Sequence, residues 1–178
     1  MKSQVTPEQA MQLIQSRRSI RVYEPGLVSP GIVQQLLEAA MAAPSAVAKD
    51  PWRFVVVQSA TMLEKLAPVL SNGSMLLQAG MGIVVCGDLE AAHDRQLSFL
   101  LQDCAAAIQN LLLCAHAHGL GACWLGIHPR EPRVSAVREI LSLPASVIPV
   151  GCVAVGHPAE VKPARTRYNE AFVHWDKW

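Results

Sequence analysis

The chain has 178 residues, 51% of them apolar and only 16% charged, with a formal net charge of +1. That is enough for one domain, residues 1–178, with a real core, and it removes the electrostatic case for a nucleic-acid or anionic-membrane partner. The longest unbroken apolar runs fall far short of the ~20 residues of a membrane span, MKSQVTPEQ carries no apolar leader, and five cysteines without a C-x-x-C pair suit reduced thiols in a cytoplasm. So apolar a composition is high for a small soluble monomer, and a partner subunit covering part of the surface would account for it.

Thr6-Pro7-Glu8-Gln9 is a helix start, with Thr as cap, Pro in the first turn and Gln placed to reach back. The helix runs to about Arg17 and meets Arg17-Arg18-Ser19-Ile20-Arg21. Three guanidiniums and a hydroxyl in five residues match the donor pattern that phosphate oxygens accept. A solvated basic helix end is the plainer alternative. Residues 22–28 read as a connector. Ser29-Pro30 opens a second helix whose Ile32, Val33, Leu36, Leu37, Ala40 and Met41 share a face, ending at Ala43-Pro44.

The small-residue loop 44–51 leaves room for a flat ligand or is an ordinary connector. Trp52–Val57 is a buried strand, a helix covers about 60–70, and Ile83–Cys86 is a second buried strand. The longest helix spans about 91–118, with Leu97, Leu100, Leu101, Cys104, Ala105, Ile108, Leu111, Leu112 and Ala115 at helical spacing and Gly119 as the stop. Gly121–Gly126 is a short strand carrying Trp124, followed by a helix over about 132–142 and a strand over Val147–Val155.

Residues 159–178 are polar and proline-interrupted, yet hold four of the nine aromatics: Tyr168, Phe172, Trp175 and Trp178. Disordered tails are poor in aromatics, so this arm should dock on its own domain or a neighbour. It also carries Lys162 and Arg165-Thr166-Arg167, a second basic group beside a hydroxyl. Nothing in the spacing proves that the two groups meet. Neither G-x-G-x-x-G nor G-x-x-x-x-G-K is present, which removes the Rossmann and P-loop fingerprints. The mixture of helices and strands gives an α+β class with helices on a central sheet. His116 and His118 lie two apart on different helix faces and make a poor metal pair, and Cys123 reads as core.

Four stretches in this order resemble the nitroreductase family. They are Arg17-Arg18-Ser19-Ile20-Arg21; Ala43-Pro44-Ser45-Ala46 leading to Pro51-Trp52-Arg53-Phe54; Gly119-Leu120-Gly121 through Trp124-Leu125-Gly126; and Gly156-His157-Pro158 with the Arg-rich tail ending at Trp178. The resemblance implies a central mixed or antiparallel sheet flanked by helices in an intertwined homodimer, the 159–178 arm docking on the partner. It implies FMN at the subunit interface and a ping-pong transfer of electrons from NADH or NADPH to a nitroaromatic, quinone or similar flat acceptor. Carried over, Arg17, Arg18, Ser19, Arg165 and Arg167 hold the FMN phosphate. Arg21 lies nearer the ribityl chain and the pyrimidine edge, where a cation stabilises charge at flavin N1. Pro44, Ser45 and Ala46 line the ring from the other subunit, Asn72 bonds the flavin, and the N–H groups near Leu125 and Gly126 face N5 and O4. No side chain is assigned as catalytic and no metal is implied, because the flavin carries the chemistry.

The chain departs from the family pattern P-S-x-x-N-x-Q-P-W, with Ala48 and Asp50 in place of the two amides. Asp50 is expected to pair with Lys49 or Arg53; the alternative is that it favours a cationic or donor-bearing substrate. A specialised flavin enzyme for an unknown metabolite, a non-enzymatic flavin-binding protein and a structural helical dimer stand as the other readings.

Overall fold

The computed structural model describes residues 5–178; the part of the leader expectation resting on residues 1–4 lies outside them. The first helix, α1 (Pro7–Ser16), begins as the sequence predicts. The Gln9 N–H donates to Thr6 Oγ1 at 3.2 Å and the Thr6 N–H donates to Gln9 Oε1 at 3.0 Å, a complete capping box. In α2 (Pro30–Met41), Ser29 Oγ accepts from Ile32 N–H with Pro30 in the first turn.

The sheet is built from β1 (Tyr23–Glu24), β2 (Trp52–Val57), β3 (Gly82–Asp88), β4 (Gly121–Gly126) and β5 (Val147–Pro158), in the order β1-β5-β3-β2 with β4 also paired to β5. All the strand pairs are antiparallel. Both faces are covered, which is why the inner strands read as unbroken apolar runs. Ile83, Val85, Val153 and Val155 face one cluster with α2 and α5 (Leu97–Ala117). Val84, Cys86, Cys152 and Ala154 face the other, with α3 (Ala60–Leu66), α4 (Met75–Ala79) and α6 (Glu131–Leu141).

Several boundaries differ from expectation. The helix read over 91–118 begins only at Leu97, because Asp94 and Arg95 hold φ of 50° and 53°, outside the helical region. The helix read over 60–70 is α3 followed by a 3-10 turn at Ala67–Val69. The connector 22–28 contains β1, and α4 was not anticipated. The last strand continues past Val155 to Pro158, where Pro158 and His157 pair with Tyr23 and Glu24. By length and composition alone α5 could cross a membrane, although no unbroken apolar run pointed there. In this fold it is a core helix, with Leu100, Cys104, Ile108 and Leu111 fully buried.

Candidate functional site

The Arg17–Arg21 segment leaves α1 and is tied at once to the sheet. Ile20 is buried and its N–H donates to Ala122 O at 3.1 Å, while Ser19 and Ala122 form an isolated parallel bridge. Tyr23 Oη donates to Ile20 O at 2.6 Å. With the backbone fixed at Ile20, the Arg17 and Arg21 side chains on either side carry no hydrogen bond or ion pair among the described residues.

The arm after β5 runs back along this segment. Ala159 N–H donates to Val22 O at 2.9 Å, and Arg21 N–H donates to Glu160 Oε1 at 2.6 Å. Lys162 Nζ donates to Ser19 O at 2.8 Å and to Glu160 Oε1 at 2.9 Å; Arg18 Nη1 donates to Pro163 O at 2.6 Å. The two basic groups, distant in sequence, therefore share one cleft of about 440 Å³. Arg17, Arg18, Ser19, Arg21, Lys162, Arg165 and Arg167 line it, with Ile14 and Gln15.

Among the described residues, no hydrogen bond or ion pair within the protein engages the side chains of Arg17, Arg21, Arg165 or Arg167. The Arg167 and Arg18 charges push the Arg165 pKa down, as expected where like charges are held together. Lys162, and then the Arg21 N–H, hold the Glu160 carboxyl below the usual carboxylate range. The cleft thus gathers four guanidiniums without a partner among the described residues, alongside Arg18 and Lys162, which are bonded within it. Six of the anticipated residues are brought together here: Arg17, Arg18, Ser19, Arg21, Arg165 and Arg167. Lys162 also lines the cleft, with Glu160 bonded behind it, and the sequence assigned neither to the site. Lys162 was visible as a cation three residues before Arg165; Glu160 gave no signal, since an acid beside a basic run looks like surface.

Pro44, Ser45, Ala46, Asn72, Leu125 and Gly126 do not line this cleft within the chain. Loop 44–51 is strained, with Val47, Ala48 and Asp50 at φ of 52°, 50° and 49°, costly for residues bearing a Cβ. Two carboxylates hold it. Asp103, buried on α5, accepts from Ala46 N–H at 2.9 Å through Oδ1, while its Oδ2 is buried without a partner. Asp50 Oδ1 accepts from Ser45 Oγ at 2.5 Å, and Asp50 N–H donates back to Ser45 Oγ at 3.0 Å. The expected pairing of Asp50 with Lys49 or Arg53 is therefore not found: Arg53 reaches only the Asp50 backbone carbonyl and forms its ion pair with Asp88 at 3.3 Å. The tight turn brings the Ser45 hydroxyl to the Asp50 carboxylate before either cation can reach it.

Leu125 is buried, and Gly126 O accepts from Arg133 Nη1 at 2.9 Å. Asn72 sits in a turn at φ 58°. Trp124 is 40% exposed and lies over Gly151, where a Cβ would overlap its indole nitrogen. Cys123 is buried and burial pushes its thiol up, against the opposing pull of Arg21 and Lys162, so it is a core thiol.

The fold and cleft define a class: an antiparallel α+β protein, helices on both faces of its sheet, with a cationic pocket assembled from the end of its first helix and the arm after its last strand. The Nitroreductase family model matches residues 14–74 and 69–157, and the chain belongs to the nitroreductase family. It is 40% identical over 174 residues to a Methanothermobacter thermautotrophicus protein named "Putative NADH dehydrogenase/NAD(P)H nitroreductase", covering 98% of this chain and 90% of that one. A crystal structure of the same name from Bacteroides thetaiotaomicron superposes with a TM-score of 0.90 at 35% identity, over 97% of this chain and 100% of the other. A "putative nitroreductase in complex with fmn" from Desulfovibrio desulfuricans gives a TM-score of 0.83 at 32% identity, over 98% and 99% of the two chains.

Proposed function

We propose that this protein is an FMN-dependent oxidoreductase that uses NADH or NADPH to reduce a nitroaromatic, a quinone or a similar flat acceptor by a ping-pong mechanism. Membership of the family makes it an NAD(P)H-dependent oxidoreductase. The observation that carries the FMN assignment is the convergence of Arg17, Arg18, Ser19, Arg21, Arg165 and Arg167 on one cleft. Several uncommitted guanidiniums and a hydroxyl suit a phosphate monoester, which presents three strong acceptor oxygens and close to two negative charges. When bound, FMN supplies the hydride chemistry.

The chain's own part is to bind and orient. Arg17, Arg18, Ser19, Arg165 and Arg167 fix the phosphate, and Arg21, at the cleft rim, favours negative charge toward the ring. Pro44, Ser45 and Ala46, held by Asp50 and Asp103, offer a rigid surface for the ring from a second subunit. Asn72 and the backbone near Leu125 and Gly126 complete the flavin contacts. No metal and no side-chain acid or base is required.

Residues 1–178 act as one domain within a homodimer, its arm 159–178 lying on the partner. Support comes from the aromatics of that arm: Trp175 is 86% and Trp178 100% exposed, a poor arrangement for a lone chain. The substrate is a small molecule, with neither nucleic acid nor membrane as partner, and the location is the cytoplasm. The bond between Asp50 and Ser45, in place of the family's amides, favours acceptor specificity that differs from the family pattern.

The test is the absorbance spectrum of the purified protein, followed by anaerobic mixing with NADH or NADPH. A yellow protein bleached rapidly by the reductant is expected. Protein that stays colourless after incubation with FMN would refute the assignment; bound flavin that NAD(P)H never bleaches would make it a binding protein instead.

A further inference from the structure

The cleft poses an electrostatic problem before any ligand enters it. Arg17, Arg18 and Arg21 on one segment face Lys162, Arg165 and Arg167 on the other, and like charges at this range repel. Two chain segments so charged would separate unless something held them. Four hydrogen bonds cross between them, from Ala159 to Val22, Arg21 to Glu160, Lys162 to Ser19 and Arg18 to Pro163. Glu160 Oε1 organises two of the four. It accepts the Arg21 backbone N–H directly at 2.6 Å, and it accepts the Lys162 ammonium at 2.9 Å while that ammonium reaches across to Ser19 O at 2.8 Å. Glu160 and Lys162 side chains are each about one quarter exposed, at 24% and 26%, so their pairing is shielded in part from solvent.

We propose that Glu160 is the positioning residue of the phosphate cleft: its carboxylate clasps the basic arm against the Arg17–Arg21 segment and so assembles the anion site in advance of its ligand. The proposal rests on the FMN reading above. It reverses the sign that charge alone gives. A carboxylate beside a cationic cleft opposes a phosphate, so charge alone makes its removal tighten binding. A clasp makes its removal weaken binding, because the unclasped arm must be ordered by the ligand itself.

The experiment is a fluorescence titration of apoprotein with FMN and with riboflavin, which lacks the phosphate, for wild type, Glu160→Ala and Glu160→Gln. Wild type should bind FMN more tightly than riboflavin. Glu160→Ala should raise the FMN dissociation constant about tenfold and leave riboflavin within about twofold. Glu160→Gln keeps an acceptor for the Arg21 N–H but not the charge that holds Lys162, and should fall between the two. Trypsin should also cleave after Arg165 and Arg167 faster in apo Glu160→Ala than in apo wild type, with FMN restoring protection. FMN binding unchanged or tightened in both variants overturns the clasp while leaving the FMN reading intact. Wild type that fails to distinguish FMN from riboflavin overturns both. A fall in riboflavin and FMN affinity by the same factor also overturns it, since that is the mark of general destabilisation.

Discussion

Arg17 is the cleft residue whose loss is easiest to reckon. It caps the C-terminal end of α1, its N–H donating to Leu13 O at 3.3 Å, so truncation to Ala keeps the backbone bond and removes the guanidinium with its short apolar stem. A hydrogen bond to a charged group contributes about 1.5–3 kcal/mol. Arg17 is half-buried, and solvent screening brings the figure to about 1 kcal/mol, roughly a fivefold change in dissociation constant. Arg17→Ala should weaken FMN by about that factor and riboflavin not at all. Adding Arg167→Ala should weaken FMN further by less than the product of the single effects, since both would bind one phosphate. Arg95 serves as the control, because it forms an exposed ion pair with Glu90 outside the cleft. Calorimetric or fluorescence titration at low and high salt reads the difference, which should shrink as salt screens exposed charges. Equal losses for FMN and riboflavin, or an Arg95→Ala variant as impaired as Arg17→Ala, would show that the phosphate lies elsewhere.

Other outcomes rest on the same geometry. Burial, and then the Arg17 charge, hold His116 below its ordinary 6.5; the unfolded chain takes up that proton first, so the stability owed to the neutral ring is intact above 6.5 and is lost as pH falls toward the lowered folded value. The fall in Tm between about pH 7.5 and about pH 5.5 should therefore be smaller in His116→Gln than in wild type, and equal falls would refute this. Burial pushes Cys86, Cys104 and Cys152 up to about 12 and Cys123 is also buried, so a thiol reagent should label native protein first at half-buried Cys114; rapid labelling of all five would contradict the packing. Gly151→Ala must displace the Trp124 indole and should cost about 1–3 kcal/mol, read as a lower Tm with shifted indole emission; an unchanged Tm would rule out the packing of Trp124 on Gly151. Asp103→Ala strands the Ala46 N–H but also removes a buried, unpartnered oxygen. These effects oppose one another at about 1–3 kcal/mol each, so denaturant unfolding should place the variant within about 1 kcal/mol of wild type, and a much larger loss would mean Asp103 has a partner not accounted for.

The long regular elements were legible because their signals are local. Thr6 and Gln9 lie three residues apart and announce α1; the runs at 52–57 and 83–86 are apolar because both sheet faces are covered. β1 was not legible: two residues carry no period, and they become a strand only because Pro158 and His157 lie beside them. The start of α5 was misplaced because Ala91 and Ala92 continue an apolar pattern that the positive φ of Asp94 and Arg95 interrupts. In the site, the Arg and Ser residues were recognisable from their chemistry, but Glu160 was not, since its role is defined by the Arg21 N–H and Lys162 meeting at one oxygen. The partner of Asp50 was missed for a similar reason: a turn with three residues at positive φ folds Ser45 back onto it.

β5 runs from the centre of the sheet to Pro158, its register with β3 shifting once at Val150, and the basic arm departs from its final residue. The heading of that arm is thus inherited from the pleat. An extra residue between Gly151 and Pro158, where the pairing is regular, would turn the arm to the opposite side of the molecule unless a bulge absorbed it, parting Arg165 and Arg167 from Arg17 with every side chain still present. Residues added beyond Arg167 would leave the cleft in place, whereas one added between the sheet and the arm is compatible with it only where a bulge takes up the extra length.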